Sequence, residues 1–462
     1  VAPFRMCDLR SVLERDAVSI TIVFLRLVIG AMYLTMPTLV SKAPTKKVSA
    51  PVSAPAGAVD VTLSNGLRFV GERIEGRHGV AMSLRIPAGS KDDPADKLGL
   101  ANLVTETLTK GTRSHSARKL SDAYDYYGIK HGEQTGIEST SLSMRFLPEH
   151  QSKALGLLRE ILSEPTFPAK ECETARIQSI QELKHLDDEP MSKAFVHLKE
   201  MYFGSSWGHT ELGNEASIPN ITQKDIVNFW KKRFIPAGTI VSAAGKFDPD
   251  ALIKELETLF SNSGLARALD EPPAPPSANV SKHIKKDSEQ TQIVMAYPSV
   301  PRNHPLYYAA QAGVGVLSGG MSGRLFTEVR EKRALVYSVG AQSSSLRGAG
   351  VCYAYAGTTA KRAAETLSVL KAELKRMPTD VTEEEVERAK IGFKSHLIMD
   401  QESTGARARE LLDDVYFHNR IIPVAEVIQR IDAVKAADVR AFGASHPIEP
   451  CTLVTLGRDA LE

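Results

Sequence analysis

PEHQSKALGLLREILSEPTFPAKECETARIQSIQELKHL at residues 148–186 and TTAKRAAETLSVLKAELKRMPTDVTEEEVERAKIGFKSHLI at residues 358–398 read as one unit written twice. In each, apolar residues recur at helical spacing, a short break containing Pro and Thr follows, and a second, more charged helix begins. Matching Ile177 to Ile391 sets the copies 214 residues apart. A repeat at that distance predicts two copies of one α+β unit, joined by a hinge into a clam-like particle.

Working outward from the first copy, VDVTLSNGLRFVGERI from Val59 is two alternating runs around Ser64-Asn65-Gly66, the signature of a hairpin. VAMSLRIPAG is a third strand, and LGLANLVTETL is a helix ended by the Gly- and hydroxyl-rich break at Lys110 to Ser114. A helix near 116–127, a strand near 138–147 and helices at 150–162, 169–187 and 190–202 follow. Thr222 with Asp225 opens another helix in the manner of a capping box, and TIVSAAG closes the copy as a strand. The second copy runs as strand QTQIVMAYP, a helix from about 305 to 333, strands near 336–358, a helix at 360–376, a final helix pair and strand CTLVTLG. Residues 261–282 carry four prolines within five positions and no amphipathic period, which marks a linker. The expected division is therefore a leader with its spacer over 1–58, an N-terminal domain over 59–260, the linker 261–282 and a C-terminal domain over 283–462.

Residues 17–40 are apolar apart from Arg26, follow arginines at 5, 10 and 15, and run into small residues near Ser41 to Ala43. That pattern predicts an export signal, with a retained membrane anchor as the alternative. The Pro/Ala/Ser stretch after it is a spacer. Lys plus Arg at 57 nearly balances Asp plus Glu at 55, so no net field favours nucleic acid. None of Cys7, Cys172, Cys352 and Cys451 has metal-binding spacing. Buried reduced thiols are the plainer reading; a Cys352–Cys451 disulfide within the second copy is the other.

AGSKDDPADKLGLANLVTETLTKGT, residues 88–112, resembles the pitrilysin and insulinase zinc peptidases, in which a strand end and an acidic loop precede G-x-A-H-x-x-E-H and a Lys-Gly-Thr turn. Gly99, Ala101, Lys110, Gly111 and Thr112 stand in place, and the resemblance runs from about Val59 to the C-terminus. It implies two homologous α/β-roll halves. The chemistry departs from the pattern. Asn102 and Glu106 occupy the positions of the two zinc-binding histidines, and Thr105 that of the glutamate base. Residues 102 and 106 share a helix face a turn apart, so two histidines there can hold one ion, whereas an amide is a poor zinc ligand. A threonine hydroxyl cannot take a proton from metal-bound water. Glu182 matches the family's third ligand, 76 residues after Glu106. Glu106 and Glu182 together suit at most a hard cation, and solvated structural roles are the better expectation. His197 and Glu200 have an HxxE spacing without a second histidine and read as a helix face. No metal is expected on this chain.

GGMSGRLFTEVREKRALVYSVGA, from Gly319, resembles the family's second-half motif, an arginine followed seven residues later by a tyrosine at a strand start. Arg330 and Tyr337 fit, while Arg324 and Arg333 are expected to be structural or solvent-facing. A guanidinium and a phenol are donors suited to a peptide carbonyl and the charge that grows on it during hydrolysis. A surface ion pair for Arg330 with a core position for Tyr337 is the alternative. Arg333-Ala334 stands where the family tends to have a glycine. Some members of the family are dimers in which one subunit carries zinc and the other the Arg/Tyr pair. The resemblance thus implies a zinc-free subunit of an exported, periplasmic heterodimeric metalloendopeptidase, acting on peptides or unfolded segments with an HxxEH-bearing partner that holds the zinc. A non-catalytic peptide-binding or scaffold protein of the same fold is the second expectation. The recognition subunit of a mitochondrial processing peptidase ranks last, because its long glycine-rich loop is reduced here to Gly319-Gly320.

Overall fold

Asn65-Gly66 turns the chain as its composition demands: Gly66 adopts φ +85°, and the Asn65 side chain accepts from the Leu67 N–H at 3.0 Å. In the computed structural model, which describes residues 57–265 and 270–461, this turn joins β1 (Ala58–Thr62) to β2 (Arg68–Arg73) as an antiparallel hairpin. The expected leader and Cys7 lie outside the described residues. Contacts group the described residues into one unit. Among them, no helix is long and apolar enough to cross a membrane.

After the hairpin come β3 (Val80–Ile86), α1 (Leu100–Thr107), α2 (Ala117–Tyr126), β4 (Lys130–Thr135) and β5 (Thr140–Phe146). Then follow α3 (Gln151–Ser163), α4 (Ala169–His185), α5 (Pro190–Trp207), α6 (Gln223–Arg233), β6 (Ile240–Gly245) and α7 (Pro249–Leu256). The capping box expected at Thr222 is present: Thr222 Oγ1 accepts from the Asp225 N–H, and the Asp225 carboxylate accepts from the Thr222 N–H at 2.9 Å. The second half comprises β7 (Val280–Lys285), β8 (Gln290–Ser299), α8 (Tyr307–Ser318), a π-helical turn at Phe326–Glu331, β9 (Val336–Leu346) and β10 (Ala349–Thr359). It ends with α9 (Ala363–Asp380), α10 (Glu383–Asp400), α11 (Thr404–His418), α12 (Val424–Asp432), α13 (Ala436–Ser445) and β11 (Thr452–Gly457).

Several local expectations need correction. The helix expected over 305–333 breaks after Ser318, because Gly319 packs on the Gly315 carbonyl and Gly320 turns out at φ +125°. Four helices, α10 to α13, stand where one pair was expected before the last strand. Cys352 and Cys451 are free buried thiols, not a disulfide, as is Cys172.

The first sheet is ordered β1-β2-β6-β3-β5-β4 and the second β7-β11-β8-β10-β9. Setting β1 aside, the two have one topology: β2 and β6 are parallel, as are β7 and β11, and the remaining neighbours are antiparallel. The repeat read in the sequence is thus a repeat of architecture. One face of each sheet packs on its own helices, through Phe69, Met82, Leu84 and Leu142 in the first half and Ile293, Met295 and Cys352 in the second.

The opposite faces are covered by exchange. Helix α5 of the first half lays Ala194, Leu198, Tyr202 and Phe203 on Val294, Ala296, Tyr353 and Val454 of the second sheet. Helix α11 of the second half lays Ala408, Leu411 and Val415 on Val70, Ala81 and Ala244 of the first. Each half therefore buries the other's helix, and polar bonds reinforce the second contact. Arg407 on α11, 1% exposed, donates to Glu72 on β2 and to Glu410.

Asp414 lies in the same buried layer and accepts from the Ile422 N–H at 3.0 Å. Burial pushes its pKa up to about 7, against the opposing pull of that N–H and of Arg302 and Arg407. A carboxyl with a raised folded pKa binds its proton more tightly in the native state. Its contribution is thus fully present in acid and is lost as the pH rises from the unfolded value of 3.8 to about 7. Asp414→Asn keeps an acceptor for Ile422. It is expected to raise stability at pH 8 by at least about 1 kcal/mol and to leave stability at pH 4 nearly unchanged. Urea denaturation at the two pH values checks this.

Candidate functional site

An acid clamp positions α1. The buried Asp93 carboxylate accepts from the Gly99 N–H at 2.7 Å and the Ala101 N–H at 2.8 Å, with His209 Nε2 at 3.4 Å. These bonds satisfy two of the four orphan donors of a helix start and hold α1 beside β4, an edge strand. On α1, Thr105 is 1% exposed and turned into a cluster of hydroxyls. It donates to the Ala101 carbonyl at 3.0 Å, accepts from Thr135 Oγ1 at 2.8 Å and lies 3.2 Å from Thr140 Oγ1. Asn102 is half-buried one turn earlier. Glu106 reaches the surface, and its pKa is raised, first by partial desolvation and next by the charge of Glu182 on α4. The structure thus brings Glu106 and Glu182 within electrostatic reach of each other. Lys110 partly offsets the repulsion, and Glu133 on β4 adds to it.

Glu133 is the member of this cluster that sequence reasoning missed. Its strand, KHGEQT, has no apolar alternation, and the one available signal was the pairing of a polar run with the next strand.

The donor set on α1 and α4 does not fit a catalytic zinc. It offers an amide, a hydroxyl already engaged on three sides and two mutually repelling carboxylates, but no imidazole. Among the described residues, no group of three or more His, Cys, Asp or Glu side chains is placed to hold a metal. His197 lies on α5, 3.9 Å from Glu200.

In the second half, the π-helical turn carries Arg330, whose guanidinium sits 5.0 Å from the Phe326 ring centroid. Arg330 is exposed and has no carboxylate partner among the described residues. Tyr337 is 62% exposed at the start of β9, the edge strand of its sheet. Gly357 pairs with Ser338 and Thr358 with Val336, so Tyr337 is the extra residue of a β-bulge. The bulge leaves both Tyr337 and Ser338 exposed, where an unbroken strand would bury one of them. The π-helical turn packs against this strand start. Arg324, 9% exposed, anchors the turn by a bidentate pair to Glu385 at 2.6 and 2.7 Å and by Asp380 at 2.6 Å. Arg333 folds back on Glu328 at 2.9 Å. Two donors, a guanidinium and a phenol, are thereby left facing solvent on a braced support.

The turn closes with the Leu335 N–H on the Val329 carbonyl and the Ala334 N–H on the Arg330 carbonyl, each at 3.0 Å, a C-terminal cap one residue wider than a Schellman motif, as suits a π-helical turn. Its left-handed position is held by Ala334 at φ +48°. Ala334→Gly is expected to relieve this strain and raise stability by about 0.5–1 kcal/mol, read from the thermal midpoint.

A family model described as insulinase, peptidase family M16, matches residues 68–215, and one described as the peptidase M16 inactive domain matches residues 220–393. The chain belongs to the M16 peptidase family. Among its M16 relatives are uncharacterized zinc proteases of Rickettsia felis, 28% identical over 82% of this chain and 92% of that protein, and of Rickettsia bellii, 29% identical over the same shares. One from Bacillus subtilis is 27% identical over 82% of this chain and 93% of its own length. Two solved structures share the fold. A peptidase M16 inactive domain from Pseudomonas fluorescens matches at TM-score 0.80 and 22% identity, over 88% of this chain and 98% of that one. A protease from Helicobacter pylori matches at TM-score 0.78 and 20% identity, over 87% and 99%. The chain is thus a peptidase-related M16 protein of α+β fold.

Proposed function

We propose that this M16 chain is the non-metal subunit of an exported, periplasmic heterodimeric zinc endopeptidase. The observation that carries this reading is the asymmetry between the halves: Arg330 and Tyr337 face solvent without a carboxylate partner among the described residues, while the helix at the family's zinc position carries no histidine. In the assembled enzyme the partner's HxxEH motif would hold the zinc, which would activate the attacking water. On this chain, Arg330 and Tyr337 orient the peptide carbonyl and donate hydrogen bonds to its oxygen as negative charge develops there. Thr105, sealed in its hydroxyl cluster, moves no proton. Substrates are peptides or unfolded protein segments, which reach the pair at the free edge of β9.

The chain alone is expected to carry no stoichiometric zinc and to cleave no peptide. The triple change Asn102→His, Thr105→Glu and Glu106→His is expected to bind about one zinc per chain with Glu182 as the additional ligand, read by metal analysis after dialysis. Stoichiometric metal with chelator-sensitive activity in the unmodified chain would overturn the proposal. Failure of the triple variant to retain zinc would remove Glu182 from the site.

A further inference from the structure

Helix α11 packs on β2, β6 and β3 and leaves β5 and β4 as the floor of an open cavity of about 510 Å³ on the sheet face away from the first core. Across this floor the strands align in rows: Arg85, Ser141 and Gln134 in one, Ser83, Ser143 and Gly132 in the next, Ala81, Arg145 and Lys130 in the third. The middle row carries nothing longer than serine, so the trough is deep enough for an extended chain. Its wall is α11, through Gly405, Arg409, Leu412 and Asp413.

The charge of this trough is unbalanced. Arg145, Lys130 and Arg409 are exposed and have no carboxylate partner among the described residues. Arg145 and Lys130 stand directly opposite each other on neighbouring strands, a like-charge pair that disfavours the sheet unless an anion lies between or above them. Of the two acidic residues in the lining, only Asp413 faces the trough, and it is already engaged. Asp413 accepts from Arg85 at 2.7 Å and from Arg302 at 3.1 Å, whereas Glu133 alternates to the opposite face of the sheet, where it lies 2.9 Å from His131 Nδ1. The surplus is therefore cationic and concentrated at one end of a hydroxyl-lined groove.

We propose that this groove binds extended acidic peptide segments. Alternate side chains of an extended peptide fall on one face about 7 Å apart, so carboxylates two residues apart reach separate cations while the backbone meets Ser83, Ser143 and Gln134. The lining favours peptide over nucleic acid, because it contains no aromatic ring for base stacking. This binding function is separate from the divided catalytic site: it needs neither zinc nor a second subunit.

The test uses the full chain alone and fluorescence anisotropy of a dye-labelled peptide of alternating Glu and Ser. The expected result is binding that weakens with added salt, no comparable binding of the same peptide with Lys for Glu, and weaker competition by oligodeoxythymidine. Arg145→Glu with Arg409→Glu is expected to weaken the acidic peptide about tenfold or more. Ser143→Trp, which fills the floor without changing charge, is expected to weaken it as well. All three positions are exposed, and Arg145→Gln with Arg409→Gln gives the same direction with less perturbation should the reversal fold poorly. Equal binding of the Lys peptide, tighter binding of the oligonucleotide, or affinity indifferent to both the charge changes and Ser143→Trp would overturn the proposal.

Discussion

Arg330→Ala in the assembled enzyme is expected to lower kcat/KM by about 10²–10³, with most of the loss in kcat. The guanidinium faces solvent above Phe326, and its support is braced by Arg324 on Glu385 and Asp380 rather than by Arg330 itself. Truncation should therefore remove a transition-state donor without unfolding the turn. Tyr337→Phe keeps the ring on the bulge and removes only the hydroxyl, so its expected loss, about tenfold to a hundredfold, isolates the phenol donor. The double variant should fall short of the product of the two losses if both groups serve one oxygen. Steady-state kinetics on a fixed peptide, with thermal midpoints as a control for folding, decides this. Unchanged kcat/KM in both variants would assign the pair to the surface.

The second large effect is on stability. Arg407→Met is expected to destabilise the chain by about 3 kcal/mol, because it leaves the largely buried Glu72 and Glu410 carboxylates facing each other without their shared cation. Arg407 crosses from the exchanged helix α11 to β2, so the loss falls on the contact that holds the halves together. Adding Glu72→Gln should restore part of it, since the remaining carboxylate then has a neutral neighbour. Denaturant midpoints of the single and double variants measure the difference.

How much of this was legible in the sequence depended on where each signal lay. The hairpin at Asn65-Gly66 and the capping box at Thr222 and Asp225 are local, and local chemistry determined them. The repeat was legible because its helices kept their spacing across 214 residues. The exchange of α5 and α11 was not. An apolar stripe says that a helix face is buried but does not name the sheet that buries it. Strand β4 escaped because its polar composition suits a sheet edge and carries no alternation, and Glu133 escaped with it.

At the candidate site, the absence of histidines at 102 and 106 was plain from the resemblance to the family's zinc motif. The tertiary consequences were not, since the hydroxyl cluster around Thr105 joins residues from α1, β4 and β5. The resemblance to the family's second-half motif picked out Arg330 and Tyr337, but the bulge that turns Tyr337 outward depends on register with β10. The π-helical turn has the composition of an ordinary helix, and that is why a continuous helix was expected there.

Mass spectrometry of the intact complex that co-purifies with the tagged chain from its native host tests the central claim most directly. The divided-enzyme account predicts a one-to-one complex with a homologous chain of similar size that carries an intact HxxEH motif and the complex's single zinc. Recovery of the chain alone, or within a large assembly that lacks such a subunit, would contradict it.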